Sequence, residues 1–242
     1  MKLQFKEQQF QVDAVNAIIN CFQGQEKGGG HFTLERSKQL MQKAKQAAAG
    51  VNTLQFTEEV DENIGYRNKL LKITDSQLLQ NIQKVQQQND IRESEFLEKP
   101  KVQKKGINLT IEMETGTGKT YTYIRTMYEL HEQYGWSKFI IIVPSVAIRE
   151  GVYKSFEVTQ THFQVKYGHK IKPFIYNSSK PTDIENFASD SRISVMIINT
   201  QAFNARGKDA RRIYAEIDSF QSRRPIDIIA QTNPILIIDE PQ

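Results

Sequence analysis

The residues with the clearest chemical potential lie in the stretch "IEMETGTGKT", from Ile111 to Thr120. It ends in Gly118, Lys119 and Thr120, as the phosphate-binding pattern G-x-x-x-x-G-K-[ST] does, although Met113 stands where that pattern has its first glycine. Glycines let backbone N–H groups approach phosphate oxygens closely, and a following helix directs its positive end at the same point. The stretch therefore predicts a phosphate-binding loop. A glycine-rich turn with a surface lysine is the alternative.

The side chains of this loop indicate a nucleoside triphosphate with Mg²⁺ as the ligand. Lys119 would bridge the β- and γ-phosphates as the catalytic cation, and the Thr120 hydroxyl would bind Mg²⁺. The predicted nucleotide-binding residues of the loop are Thr115, Gly116, Thr117, Gly118, Lys119 and Thr120.

Two acids follow an apolar run in "ILIIDEPQ" near the end of the chain. Asp239 is predicted to hold Mg²⁺, and Glu240 to orient and deprotonate the attacking water. The start of an ordinary loop is the alternative. Taken with the lysine loop, the pair predicts Mg²⁺-dependent hydrolysis of a nucleoside triphosphate rather than a small-molecule kinase. This chemistry requires Lys119 and Asp239 to meet at the same edge of one sheet.

The elements that would position these groups alternate between strand and helix from residue 107 onward. Helical patterns cover residues 120–134 and begin again at Ser145, which is a fair N-cap. The predicted strands are "INLTIEM", "KFIIIVP", "KPFIYN", "ISVMIINT" and "NPILIIDE". This alternation favours an α/β fold, with a mostly parallel sheet covered by helices on both faces.

The first 106 residues differ from the rest of the chain in composition and in apolar pattern. Residues 1–23 predict an amphipathic helix. Residues 24–106 are rich in glutamine, and Leu78, Ile82 and Val85 recur there at helical spacing. A second short helix is predicted in "AKQAAAG". The stretch is interpreted as a helical insertion.

Composition narrows the class of protein. The chain has 242 residues and a formal net charge of +4, which permits a nucleic-acid partner without requiring one. A single cysteine, Cys21, excludes an internal disulfide and fits a reducing cytoplasm. The N-terminus has no signal-peptide pattern, and no apolar run approaches the roughly 20 residues of a membrane span. We therefore expect a cytoplasmic protein with no membrane partner.

The amino-acid sequence around these motifs resembles that of a known family. "TGTGKT" with "DEPQ" is similar to motifs I and II of superfamily-two helicases and translocases. "IEMETGTGKTYTYIRTMYELHEQYGWSKFIIIVPSVAIREG", followed by "MIINTQAFN", resembles the restriction (Res) subunit of type III restriction–modification enzymes. The resemblance covers most of residues 107–242 and the first helix. It implies a RecA-like P-loop NTPase first motor domain, incomplete at its C-terminus.

The resemblance implies further site residues. "FQVDAV" is similar to the adenine-reading glutamine motif, which would place Gln11 near the adenine; a solvent-facing helix residue is the alternative. "VPSVAIREG" and "NTQAF" are similar to motifs Ia and Ib, which touch the DNA backbone. The implied nucleic-acid contacts are Ser145, Arg149, Thr200 and Gln201. Ordinary caps or surface residues are the alternative at these four positions.

The resemblance also implies a function with ATP and Mg²⁺ as cofactors. The chain would be the translocase module of a type III restriction endonuclease, moving on duplex DNA after a methyltransferase (Mod) subunit has recognised its site. The family's second RecA-like domain, with its arginine finger, and its nuclease domain are expected to be absent, and without the finger hydrolysis would be slow. A strand beside the "ILIID" strand is also expected to be absent, which would leave a gap in the sheet and lower its stability. Another superfamily-two DNA or RNA helicase is one alternative. A non-catalytic nucleotide-binding or partner-docking module is another.

One basic segment, "NARGKDARRIYAEIDSFQSRRP", carries most of the excess positive charge. It could lie along DNA, where basic side chains give salt-sensitive affinity. A solvated surface is the alternative, because runs of charge usually face water.

Overall fold

The computed structural model describes residues 5–34, 64–100, 106–203, 213–216 and 223–240. The helix predicted in "AKQAAAG" and most of the basic segment after Phe203 lie outside these ranges.

The described helices and strands alternate through the second half of the chain, as predicted. In chain order they are α1 Gln9–Cys21, β1 Gly29–Thr33, β2 Ile64–Asn68, α2 Asp75–Gln88, α3 Lys119–Tyr134, β3 Lys138–Val143, α4 Val146–Tyr167, β4 Lys172–Ile175, α5 Thr182–Ser189, β5 Ser194–Asn199, a 3₁₀ turn Thr200–Phe203, α6 Pro225–Gln231 and β6 Ile235–Ile238.

Four of these strands form one parallel sheet in the order β4-β5-β3-β6. The central strand β3 is paired on both sides, with Ile140 opposite Met196 of β5 and Leu236 of β6. Runs of isoleucine and valine suit a strand buried on both faces, because both rows of side chains then leave water. The predicted fold class, an α/β protein with a mostly parallel sheet, agrees with this sheet.

Helices cover the two faces of the sheet and produce two apolar cores. Phe139 and Ile141 point to one face, where α3 and α4 pack with Met127 and Phe163. Ile140 points to the other face, where α5 and α6 supply further apolar side chains. Successive residues of a strand face opposite sides, so one strand serves both cores. The sheet is thereby fixed as the frame for whatever its ends carry.

The strand predicted in "INLTIEM" does not form. Residues 107–113 have no strand pairing, and Leu109 and Ile111 are more than two-fifths exposed. Strand β6 is the last in the sheet, and among the described residues nothing pairs along its outer side. Strand propensity is expressed only when a neighbour supplies the ladder of hydrogen bonds, and this segment lacks one.

The described part of residues 24–106 is less helical than predicted. Helix α2 forms, with Leu78 and Ile82 buried as their spacing indicated. Strands β1 and β2, however, pair as an antiparallel two-stranded sheet. The triple glycine before His31 hides the strand from pattern analysis, because glycine supplies no alternation of side chains.

Asn68 ties β2 to the main sheet. Its side-chain oxygen accepts hydrogen bonds from Ser137 N at 2.8 Å and Lys138 N at 2.9 Å, and its Nδ2 donates to Lys138 O at 2.7 Å. Its backbone N–H donates to Thr232 O at 3.0 Å, just before β6. Through its side chain and its backbone N–H, Asn68 thus holds the amino-terminal end of β3 beside the residues that lead into β6.

Candidate nucleotide site

The loop before α3 has a backbone that only glycine adopts at low cost. Gly118, the N-cap of α3, has φ 86° and ψ 39°, and Gly116 has φ 81°. L-residues avoid this left-handed region because Cβ crowds the backbone. A Cβ at Gly118 would also lie 2.6 Å from Gln11 Nε2. The loop is closed by Thr117, whose hydroxyl donates to Glu114 O at 2.6 Å.

Gln11 lies against this loop rather than in solvent. The residue is 8% exposed, and its Nε2 donates to Thr117 O at 2.8 Å across 106 residues of sequence. The alternative of a solvent-facing helix residue is therefore wrong. A glutamine amide has a second N–H and a carbonyl, so this bond leaves it further capacity to donate and accept.

Asp239 lies directly after β6, at the carboxyl edge of the sheet. Its backbone N–H donates to Ile142 O of β3 at 2.9 Å, which holds the ends of the two strands level. The Tyr123 hydroxyl, one turn into α3, donates to Asp239 Oδ2 at 3.4 Å. The carboxylate therefore lies against the first turn of the helix that begins with Lys119.

The electrostatics of Asp239 reflect the same proximity. Burial raises its pKa, and the neighbouring Glu240 carboxylate adds to that rise. The Tyr123 hydroxyl and the Lys119 ammonium act on the pKa in the opposite direction. A positive charge beside a buried carboxylate favours its ionised form, so Lys119 and Asp239 share one electrostatic environment.

Thr120 and Asp239 suit Mg²⁺ in kind and number. This ion is usually held by one or two carboxylates together with waters and substrate phosphates, rather than by a complete protein cage. Within the described ranges no cluster of three or more His, Cys, Asp or Glu side chains could hold a metal alone. Thr120 precedes Tyr123 by three residues on α3, and the Tyr123 hydroxyl donates to Asp239 Oδ2. The two predicted oxygen ligands of the ion, Thr120 and Asp239, therefore both lie near this phenol.

Glu240 is exposed and lies beside Asp239 at the end of β6. Its φ of 52° places a glutamate in the left-handed region. Strain of this kind costs on the order of 1–3 kcal/mol and persists where surrounding structure fixes it, often at functional sites. The backbone turns sharply here and carries the second acid away from the strand.

The four predicted nucleic-acid contacts follow strands that end at the same edge. Ser145 follows β3, and its Oγ accepts a hydrogen bond from Ile148 N at 3.3 Å as the N-cap of α4. Arg149 donates to Glu150 Oε1 at 3.0 Å. Thr200 and Gln201 are exposed in the 3₁₀ turn after β5. Polar groups from several loops thus gather at the carboxyl ends of parallel strands, where ligands of open α/β sheets bind.

This geometry can be set beside known proteins. Residues 4–241 match the protein family described as type III restriction enzyme, res subunit. The chain belongs to this family. The four-stranded parallel sheet flanked by helices is consistent with the RecA-like domain expected of the Res family, and this confirms the predicted fold class.

Characterised members of the Res family align over most of this chain. The EcoP15I Res subunit of Escherichia coli is 30% identical over 87% of the chain and 23% of its own length. The EcoPI Res subunit of Escherichia phage P1 is 31% identical over 76% of the chain and 21% of its own length. The StyLTI Res subunit of Salmonella typhimurium is 34% identical over 55% and 15%. The chain thus spans less than a quarter of the length of these relatives.

Among the helices in the described ranges, none has both the length and the apolar character needed to cross a bilayer.

Sequence reasoning missed one residue that lies at the centre of the site. Tyr123 bridges Asp239 and the start of α3, yet it belongs to none of the motifs. Its signal was spacing, because residues four apart lie on one face of a helix and Tyr123 follows Lys119 by four.

Proposed function

We propose that this chain is the ATP-binding motor module of a type III restriction endonuclease Res subunit. Residues 1–23 and 107–242 would form the motor domain, with residues 24–106 as an insertion. The observation that carries the proposal is the approach of Asp239 to the first turn of α3, through a 3.4 Å hydrogen bond from Tyr123. It supports an arrangement in which the loop lysine, Lys119, and the strand-end aspartate, Asp239, face one ligand.

Each residue would have a distinct task in this module. The loop N–H groups from Thr115 to Thr120 would hold the phosphates, and Lys119 would neutralise charge as the γ-phosphoryl leaves. Thr120 and Asp239 would hold Mg²⁺, which would supply positive charge to neutralise the phosphates during hydrolysis. Glu240 would orient the attacking water and accept its proton.

Gln11 would bind the adenine while it contacts the phosphate loop. Its 2.8 Å bond to Thr117 O supports this role, because it holds the amide beside the loop and leaves one N–H and the carbonyl for the base. An amide that donates and accepts can distinguish adenine from guanine by hydrogen-bond pattern.

Hydrolysis in the whole subunit would drive movement on duplex DNA in the cytoplasm, after a Mod methyltransferase partner has found the site. The names of the three relatives, all Res subunits of type III restriction–modification enzymes, support this assignment. Thr200 and Gln201 are exposed beside the site and would bind backbone phosphates, while Ser145 and Arg149 would flank them. Such contacts position a protein on DNA without reading sequence.

Calorimetry with ATP·Mg²⁺ tests the proposal. The wild-type chain should bind, and Lys119→Ala should reduce affinity by at least about tenfold, since charge-assisted bonds to phosphate contribute roughly 1.5–3 kcal/mol each. Lys154→Ala is the matched control, because this lysine on α4 is exposed and pairs with Glu157 at 2.8 Å. Equal binding by Lys119→Ala and wild type would instead favour a non-catalytic docking module.

A further inference from the structure

Tyr123 joins the apolar core to the predicted metal site. Its ring packs against the core formed by α3, α4 and the sheet, while its hydroxyl reaches Asp239 Oδ2. Burial raises the pKa of this phenol, so it stays protonated and remains a hydrogen-bond donor throughout the physiological range. A ring held by packing places its hydroxyl in a fixed direction.

The Tyr123 hydroxyl thus reaches one of the two side chains assigned to Mg²⁺. A carboxylate has two oxygens, and a donor on one of them determines where the other points. The 3.4 Å separation from Asp239 is long for an O–H···O bond, so the packed ring is what fixes the direction of the hydroxyl.

We propose that Tyr123 is a positioning residue that orients Asp239 toward Mg²⁺, a role that rests on the proposed function of the site. Its hydroxyl holds Oδ2 of Asp239, which leaves the other oxygen for the ion. Partners of this kind typically change metal affinity by about 10–100-fold when they are removed.

The test is a Mg²⁺ titration of the binding of a fluorescent, non-hydrolysable ATP analogue to the full chain. Tyr123→Phe keeps the ring and removes the hydroxyl, so the Mg²⁺ concentration at half-saturation should rise about 10–100-fold. Affinity for the analogue in EDTA should stay within about twofold of wild type. Tyr121→Phe is the matched control, because its hydroxyl lies on the same helix but contacts His162 Nε2 at 2.9 Å.

The outcomes separate this inference from the proposed function. If wild type shows no Mg²⁺-dependent binding, or Lys119→Ala binds as wild type does, the proposed function itself fails. If wild type binds in a Mg²⁺-dependent way and Lys119→Ala binds more weakly, but Tyr123→Phe titrates like Tyr121→Phe, only the role of Tyr123 is overturned. A Tyr123→Phe variant that also loses binding in EDTA would show a merely structural role and overturn it equally.

A double-mutant cycle with Asp239→Asn provides a second measurement. If the phenol acts through the carboxylate, Tyr123→Phe should add less than about twofold to the Mg²⁺ requirement of Asp239→Asn. Additive effects of the two substitutions would contradict the proposal.

Discussion

The two ends of the parallel sheet use their polar side chains differently. At the amino-terminal end, Asn68 and Lys138 are buried and bonded to several backbone groups. At the carboxyl end, Thr200, Gln201 and Glu240 are exposed. Left-handed residues occur at both ends, so the ends differ in the hydrogen bonding of their side chains and not in backbone conformation. Polar groups at the amino-terminal end therefore stabilise the sheet itself, whereas those at the carboxyl end face solvent, where a ligand would bind.

Lys138 illustrates how closely the amino-terminal end is bonded. Its side chain is fully buried, and its ammonium donates to Phe187 O at 2.6 Å and to Asp190 O at the end of α5. Positive charge at a helix C-terminus is favourable because the last carbonyls lack partners within the helix. Burial nevertheless lowers the pKa of Lys138 to about 7, while the nearby Asp190 carboxylate opposes that shift.

Removing the side-chain amide of Asn68 should produce the largest loss of stability. Asn68→Ala leaves the buried Ser137 N and Lys138 N without their acceptor, at about 1–3 kcal/mol for each unsatisfied group, and removes one donor to Lys138 O. We expect the free energy of unfolding to fall by about 3–5 kcal/mol in urea titrations. Asn16→Ala, on the exposed side of α1, is the control and should stay within about 0.5 kcal/mol. A similar small loss for Asn68→Ala would show that the amide network is not what fixes this end.

The buried Lys138 at the amino-terminal end of the sheet should make stability depend on pH. The pKa of Lys138 is about 7 in the folded protein, against 10.5 as the ordinary value. Between those values the unfolded chain holds a proton that the folded protein has released, so rising pH favours folding. From pH 7 to 10, wild type should gain on the order of 2–4 kcal/mol relative to Lys138→Met in urea titrations.

Lys170→Met, at an exposed position, serves as the control for that titration and should follow wild type. Parallel pH profiles for wild type and Lys138→Met would show that Lys138 keeps an ordinary pKa.

The smallest effects should come from the glycines of the loop. Gly118→Ala combines a φ of 86° with a Cβ 2.6 Å from Gln11 Nε2, so it should cost about 1–2 kcal/mol and weaken nucleotide binding. Gly116→Ala has the same backbone strain but open space, and should cost less.

Gly151→Ala is the matched control for both loop variants, because it lies in α4 with nothing within 4 Å of its added Cβ. There alanine should raise stability by about 0.5–1 kcal/mol. Thermal unfolding and analogue binding measure all three variants. Equal effects at Gly116 and Gly118 would remove the contact with Gln11 from the explanation.

Local patterns in the sequence predicted the frame of the protein well. Isoleucine-rich runs between helical patterns gave β3, β5 and β6, and the N-cap role of Ser145 followed from its place before an apolar periodic stretch. These elements obey rules of spacing that act within a dozen residues.

Features that depend on distant partners were not predictable in the same way. Residues 107–113 have the composition of a strand, but pairing depends on a neighbour that the local sequence does not encode. The role of Asn68 depends on Ser137 and Lys138, about 70 residues away. The spacing of Tyr123 from Lys119 places both on one face of α3, but the contact of Tyr123 with Asp239 joins residues 116 positions apart.

The contact between Gln11 and Thr117 has a consequence for how a base would be sensed. The 2.8 Å bond makes one amide part of the loop wall as well as of α1. The second N–H and the carbonyl of Gln11 stay available to a base while this bond holds the Thr117 carbonyl. A base bound there would be linked through one side chain to both α1 and the loop, so a shift of α1 would also move the Thr117 peptide.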